Sequence, residues 1–261
     1  MGSKRLWRRV TLLAAAAALA LAALAASALA RPQVVRVGNL IVTVDGGITP
    51  SKLPKSSFAP VTLNAEATLE TADGTHLPAA RKLVVEFDKH GRMETGGLAT
   101  CSVRRLENTL TDQAKQICSK ALIGTGRAGA EIEFPEQAPF FASGAMLIFN
   151  GHPKGSHPVL IFHVYAHVPA PTTFVTTAVV GKASGAYGTR VEITVPTIVA
   201  GQGSLTFAKL RMRKTWSYRG KRQHLLLASC PTGRFLTRGN LTFSNGSKIA
   251  GKVIRSCTPR G

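Results

Sequence analysis

Between residues 61 and 69 apolar side chains take every second position: Val61, Leu63, Ala65, Ala67 and Leu69 alternate with Thr62, Asn64, Glu66 and Thr68. Successive side chains of a strand point to opposite faces, so this pattern predicts a strand with one face buried. Other apolar or alternating runs predict strands at 40–44, 83–87, 130–134, 145–149, 159–168, 173–180, 189–195, 205–214, 223–228, 241–243 and 249–255. Turn-forming sequences punctuate them: Asp45-Gly46-Gly47, Asp73-Gly74, His90-Gly91, Asn150-Gly151 and Arg219-Gly220.

One stretch has a different period. Leu110, Ala114, Ile117, Cys118 and Ala121 recur at helical spacing, and Thr109 with Asp112 three residues on comes close to a capping box. Gly124 stands where a helix would end. The expectation is a mainly β protein, an antiparallel sandwich or barrel, with one short helix near 110–123. Pro135-Glu136-Gln137-Ala138-Pro139 reads as a linker. It divides the chain into a β-rich lobe with the helix at 31–137 and an all-β basic lobe at 138–261, with a single domain over 31–261 as the alternative.

The first 30 residues stand apart from this β pattern. Lys4, Arg5, Arg8 and Arg9 form a positive head, residues 10–26 carry no charge, and Ala28-Leu29-Ala30 ends the run with small residues. That is the layout of an export leader, with Arg31 as the mature N-terminus. Residues 10–30 are also long enough to span a bilayer, so a retained N-terminal anchor is the alternative. Thr11 stands where a twin-arginine signal usually has an apolar residue, which favours the general secretory route.

Export changes the reading of the cysteines. Cys101, Cys118, Cys230 and Cys257 are an even set in a chain bound for an oxidising compartment, where disulfides are the default. Three connectivities are open; 101–118 with 230–257 is favoured because each closes a short loop. Close Cys-x-x-Cys pairs, which a zinc site would need, do not occur.

The charge balance is lopsided. Of 33 Lys and Arg, four precede residue 31, leaving 29 against 13 Asp and Glu in the mature chain. After Glu192 there is no acid at all, while Lys209, Arg211, Arg213, Arg219, Lys221, Arg222 and seven further basic residues follow. A field of one sign attracts polyanions and anionic surfaces. Along 205–214, Lys209, Arg211 and Arg213 share one strand face and Ala208, Leu210 and Met212 the other. Trp216, Tyr218, Arg219, Lys221 and Arg222 follow, a basic-aromatic set suited to phosphate-bearing polymers or lipid headgroups. No sequence-specific nucleic-acid partner is expected.

Catalytic patterns are sparse. Gly124-Thr125-Gly126-Arg127-Ala128-Gly129 matches Gly-x-Gly-x-x-Gly, but a dinucleotide site needs a strand before it and a helix after it, and here the order is reversed. It reads as a helix cap and loop. His152, His157, His163 and His167 crowd 16 residues, and His163 and His167 would share a strand face, which makes them weak metal-ligand candidates. No Asp or Glu lies between Glu136 and Glu192 to join them. Gly-x-Ser-x-Gly is missing, and Ser-x-x-Lys does not occur in the mature chain. No cofactor and no catalytic residue is expected.

Phe149-Asn150-Gly151, Pro169-Ala170-Pro171-Thr172 and Ala228-Ser229-Cys230-Pro231-Thr232-Gly233 occur together with the order Cys101, Cys118, Ile123-Gly124-Thr125-Gly126, Cys230, Cys257. In this the chain resembles a group of uncharacterised secreted actinobacterial proteins over most of its mature length. The resemblance implies export and a bacterial origin, and no activity. The function expected is that of an exported, non-enzymatic envelope or extracellular protein that meets anionic polymer or membrane surface through its basic C-terminal half. A β-barrel or open-sandwich carrier of an apolar ligand is the first alternative. A hydrolase built on dispersed acids or the histidines is the second.

Overall fold

The computed structural model describes residues 32–261, so the expected leader lies outside the described residues. Gln33–Gly261 form one compact unit. Twelve strands make a single antiparallel sheet: β1 (Gln33–Val37), β2 (Leu40–Thr49), β3 (Thr62–Thr71), β4 (Ala80–Asp88), β5 (Leu122–Ile132), β6 (Phe140–Asn150), β7 (Val159–Ala166), β8 (Thr172–Lys182), β9 (Tyr187–Thr194), β10 (Gly203–Met212), β11 (Arg234–Phe243) and β12 (Lys248–Ser256). Their order is β1-β2-β3-β10-β5-β6-β7-β8-β9-β4-β11-β12.

The two ends of that order meet. A Cβ placed on Gly251 of β12 would lie 2.5 Å from Val35 Cγ2 of β1. Nearby, Arg255 donates through Nε to Gly46 O at 2.7 Å and through Nη2 to Asp45 at 3.0 Å. Side-chain contact at this seam, rather than a backbone ladder, makes the sheet a nearly closed barrel. The division at 137/138 is not a boundary: β10 inserts between β3 and β5, and β4 lies between β9 and β11. Strands from both halves must pair to bury either face, so neither half has a core of its own.

Alternation sorts the side chains. Leu63, Ala65, Ala67 and Leu69 face inward together with Ala208, Leu210 and Met212, while Glu66, Lys209 and Arg211 face outward. The Gly-rich stretch is not a cap and loop but part of β5. Gly124, Gly126 and Ala128 pair with Met212, Leu210 and Ala208 on the inward face. A Cβ at Gly126 would come within 2.0 Å of Lys209 O, and one at Gly144 within 2.1 Å of Tyr165 O. Adjacent backbones approach that closely only where the sheet coils sharply, and glycine is what permits it.

Two short helices replace the one expected: α1 (Val103–Leu106) and α2 (Thr111–Ile117), followed by a 3₁₀ turn at Ser119–Ala121. Thr109 is not the cap; its hydroxyl donates to Leu106 O at 2.7 Å, and Gln113 Oε1 accepts from the Leu110 amide. Leu106, Ala114 and Ala121 lie over Leu147, Phe149 and Ile161, burying a patch of the barrel's outer face. Cys101–Cys118 fastens this cover, and Cys230–Cys257 ties the C-terminal segment into a second cluster with Leu53, Val61 and Ala228. Both pairings are those favoured on spacing, and two closed disulfides indicate an oxidising, extracytoplasmic location. No helix among the described residues is long and apolar enough to cross a membrane.

Each end of the barrel is packed. At the end where Asn150 and Met212 lie, Leu98 and the wholly buried Leu225 close over Ile148, Leu160, Val180 and Met212. At the other, Leu77 packs on Leu40, Leu69, Leu241 and Phe243, and Ile198 on Ile132 and Ala142.

Candidate functional site

Lys209 and Arg211 project outward from β10, and Arg213 follows it, also exposed. The chain then forms a two-stranded hairpin, Thr215–Tyr218 against Lys221–His224, pairing Tyr218 with Lys221 and Ser217 with Arg222. Its turn places Arg219 and Gly220 at φ 50° and 71°. Positive φ at both central residues is the type I′ habit, whose twist matches that of the flanking strands.

The two aromatics differ in role. The Trp216 indole donates to Gly96 O at 3.1 Å and packs against the closed end of the barrel, so it serves mainly as an anchor. Tyr218 lies across Gly97, where a Cβ would stand 2.1 Å from its ring, yet 38% of the residue is exposed. The Arg219 guanidinium sits 5.2 Å from the Tyr218 ring centroid, a cation–π arrangement. Tyr218 is therefore the contact aromatic of the pair. Anchoring through Trp216 makes the hairpin a fixed platform.

Counter-charges are scarce on this face. Lys209 pairs with Glu66 at 2.8 Å, and that hydrogen bond holds its pKa above the ordinary lysine value. Arg211, Arg213, Lys221 and Arg222 are exposed and, among the described residues, have no carboxylate partner. Arg127 of β5, directly across from Lys209, adds to the same face and donates to Ser143 Oγ at 2.9 Å. Sequence reasoning missed it because its segment reads as a loop; its alternation with Gly126 and Ala128 becomes a signal once 122–132 is taken as a strand.

The outer face of β4, β9 and β11 is built differently. Glu86, with its side chain 10% exposed, is held by Arg238 and by Arg190 at 3.3 Å, and Glu192 by Lys82 and by Arg190 at 3.2 Å. The Arg238 hydrogen bond above all, then that of Arg190, keeps Glu86 ionised below the ordinary carboxylate range against the cost of its burial. Cations here are matched to acids within the fold.

The histidines do not form a metal centre. His163 is fully buried beneath the helices, with Nε2 3.0 Å from Thr109 O, and burial holds its pKa below the ordinary value. Its Nδ1 is buried without a partner. A neutral ring that donates from Nε2 leaves that nitrogen as a bare acceptor. His167 is exposed, edge-on to Tyr165 with centroids 4.8 Å apart. Among the described residues no group of three or more His, Cys, Asp or Glu could hold a metal.

One constellation that the sequence hides resembles hydrolytic machinery. Ser204 Oγ lies 3.1 Å from His76 Nε2, and His76 Nδ1 lies 2.6 Å from Glu131 and 3.6 Å from Glu133. The hydrogens run the wrong way for a nucleophile. Ser204 donates its only hydroxyl proton to Leu77 O at 2.5 Å, so His76 Nε2 donates to Oγ instead of accepting from it. Ser204 is also 1% exposed. The group clasps the connection at 72–79 to β5 and β10.

No protein family, curated protein or solved structure matches this chain, so no relative assigns a role to these residues.

Proposed function

We propose that this is an exported, non-enzymatic protein of the bacterial envelope or its surroundings that binds a phosphate-bearing anionic surface. The binding face is Arg127, Lys209, Arg211 and Arg213 with Tyr218, Arg219, Lys221 and Arg222 of the hairpin. The leader pattern, with its Ala28-Leu29-Ala30 exit, supports export and a mature chain that begins at Arg31.

One observation carries the reading: the contrast between the two faces. Arg190, Arg238 and Lys82 are each paired with Glu86 or Glu192, whereas Arg211, Arg213, Lys221 and Arg222 stand exposed without an acid among the described residues. Like charges brought together repel, so a folded chain that collects them in one place loses stability unless an outside anion compensates. Near an anionic lipid surface each such side chain is worth about 1 kcal/mol.

Replacing Arg211 and Arg213 together with alanine should therefore weaken binding to phosphatidylglycerol vesicles about thirtyfold, by the same per-charge value. Lys252→Ala, on exposed β12, should leave it within about twofold, since that residue lies outside the face. Co-sedimentation checks this, with soluble polyphosphate as competitor to separate lipid from polymer as the preferred anion. Equal losses in the two variants would assign binding to net charge and not to this face.

A further inference from the structure

We infer that the barrel interior is a binding site for one uncharged apolar chain of the acyl type, a function separate from the anionic-surface reading. The width of the barrel comes first. Eight strands already enclose a space that side chains just fill, and diameter grows roughly linearly with strand number, so twelve strands enclose a lumen about half as wide again. Large residues would be needed to fill it. At mid-height many inward positions carry small ones instead, Val44, Ala65, Ala67, Val85, Val164 and Ala208, with Gly126, Gly144 and Gly239 beside them; Leu210, Met146 and Phe174 are the large side chains in the same rows.

Packing agrees with that arithmetic. Those six residues belong to neither end cluster and remain partly exposed, whereas Ala178 and Ile148, within the packed end, are wholly buried. The two end clusters share no residue. Between them lies apolar wall that stays partly exposed at these positions, with Met146 the buried side chain among them.

The chemistry of the wall selects the occupant. By register every acid of the twelve strands (Asp45, Glu66, Glu70, Glu86, Asp88, Glu131, Glu192) points outward. Inward cations are confined to strand ends, Arg81 and Lys182 at the rims and Arg255, which is already bound to Asp45. Thr176 of β8 donates its hydroxyl to Thr194 O at 2.6 Å. A charged ligand would find no charged partner at mid-height, where the inward polar groups are uncharged ones such as Thr176 and Gln33, and an apolar chain would lose little by entering.

The test uses residues 31–261 with both disulfides closed, since Gln33–Gly261 is a compact unit in itself. The probe is N-phenyl-1-naphthylamine, an uncharged fluorophore, with 1-dodecanol as competitor. Saturable binding at about one probe per chain is expected, displaced by the alcohol and insensitive to salt. Ala67→Trp, which fills the lumen, should lower affinity at least about tenfold, while Thr68→Trp, on the outward face of the same strand, leaves it unchanged. Should Ala67→Trp fail to fold by circular dichroism, Ala208→Leu supplies the same comparison with less added volume. Absence of saturable binding in the native chain, or equal binding in filled and unfilled variants, overturns the inference. Salt sensitivity belongs only to the anionic-surface reading, so the two can fail separately.

Discussion

Replacing Gly126 with alanine is expected to destabilise the barrel by about 3 kcal/mol or more, at the upper end of what overpacking costs. The new methyl would stand 2.0 Å from Lys209 O, a backbone atom of the neighbouring strand. No rotamer change relieves such a contact; β5 and β10 would have to part. Thr125→Ala, one position along on the exposed outer face, should stay within about 0.5 kcal/mol of the parent. Urea unfolding of the two variants side by side checks this. A parental midpoint for Gly126→Ala would show that β5 and β10 do not approach as described.

The second large effect concerns the C-terminal segment. Cys230 and Cys257 are 27 residues apart and both buried, in contact with Leu53, Val61 and Ala228. A bridge closing a loop of that length contributes about 3.5 kcal/mol by the chain-entropy estimate. The Cys230→Ala/Cys257→Ala variant should lose most of that, and with it the parallel pairing of Thr258–Arg260 with Lys52–Pro54. Denaturant melts give the stability, and hydrogen exchange at the Thr258 and Lys55 amides, which donate to Ser51 O and Arg260 O, gives the pairing. A loss below about 1 kcal/mol with protection retained would mean that packing alone holds the segment.

How much of this could be read from the chain depends on how local the cause is. Alternation is local, so the faces of β3 and β10, and with them the outward course of Lys209 and Arg211, follow from residue type alone. Disulfide pairing followed from short spacing. Strand β5 did not, because Gly124 and Gly126 signal a turn unless the sheet's coiling is already known. Closure was hidden too, since Val35 meets Gly251 only after ten other strands have taken their places. Trp216 reads as a surface aromatic beside arginines; what turns it inward is Gly96, 120 residues away. The Ser204, His76 and Glu131 clasp likewise joins three distant segments, and its hydrogen-bond directions, which set it apart from a catalytic group, exist only in three dimensions.

The lumen and the basic face would complement one another. A barrel that shelters an apolar chain and rests on an anionic surface could exchange that chain where such molecules reside. Each half stands on its own residues, and the basic face is the claim on which the proposed function rests.

The most direct test is a salt titration of residues 31–261, disulfides closed, on phosphatidylglycerol vesicles and on neutral phosphatidylcholine vesicles. Screening lengths fall from about 30 Å at 0.01 M salt to about 8 Å at 0.15 M. The account predicts strong binding to the anionic vesicles at low salt, a steep decline across that range, and little binding to the neutral ones at any concentration. Affinity that held constant as salt rose, or that was equal on both lipids, would contradict it.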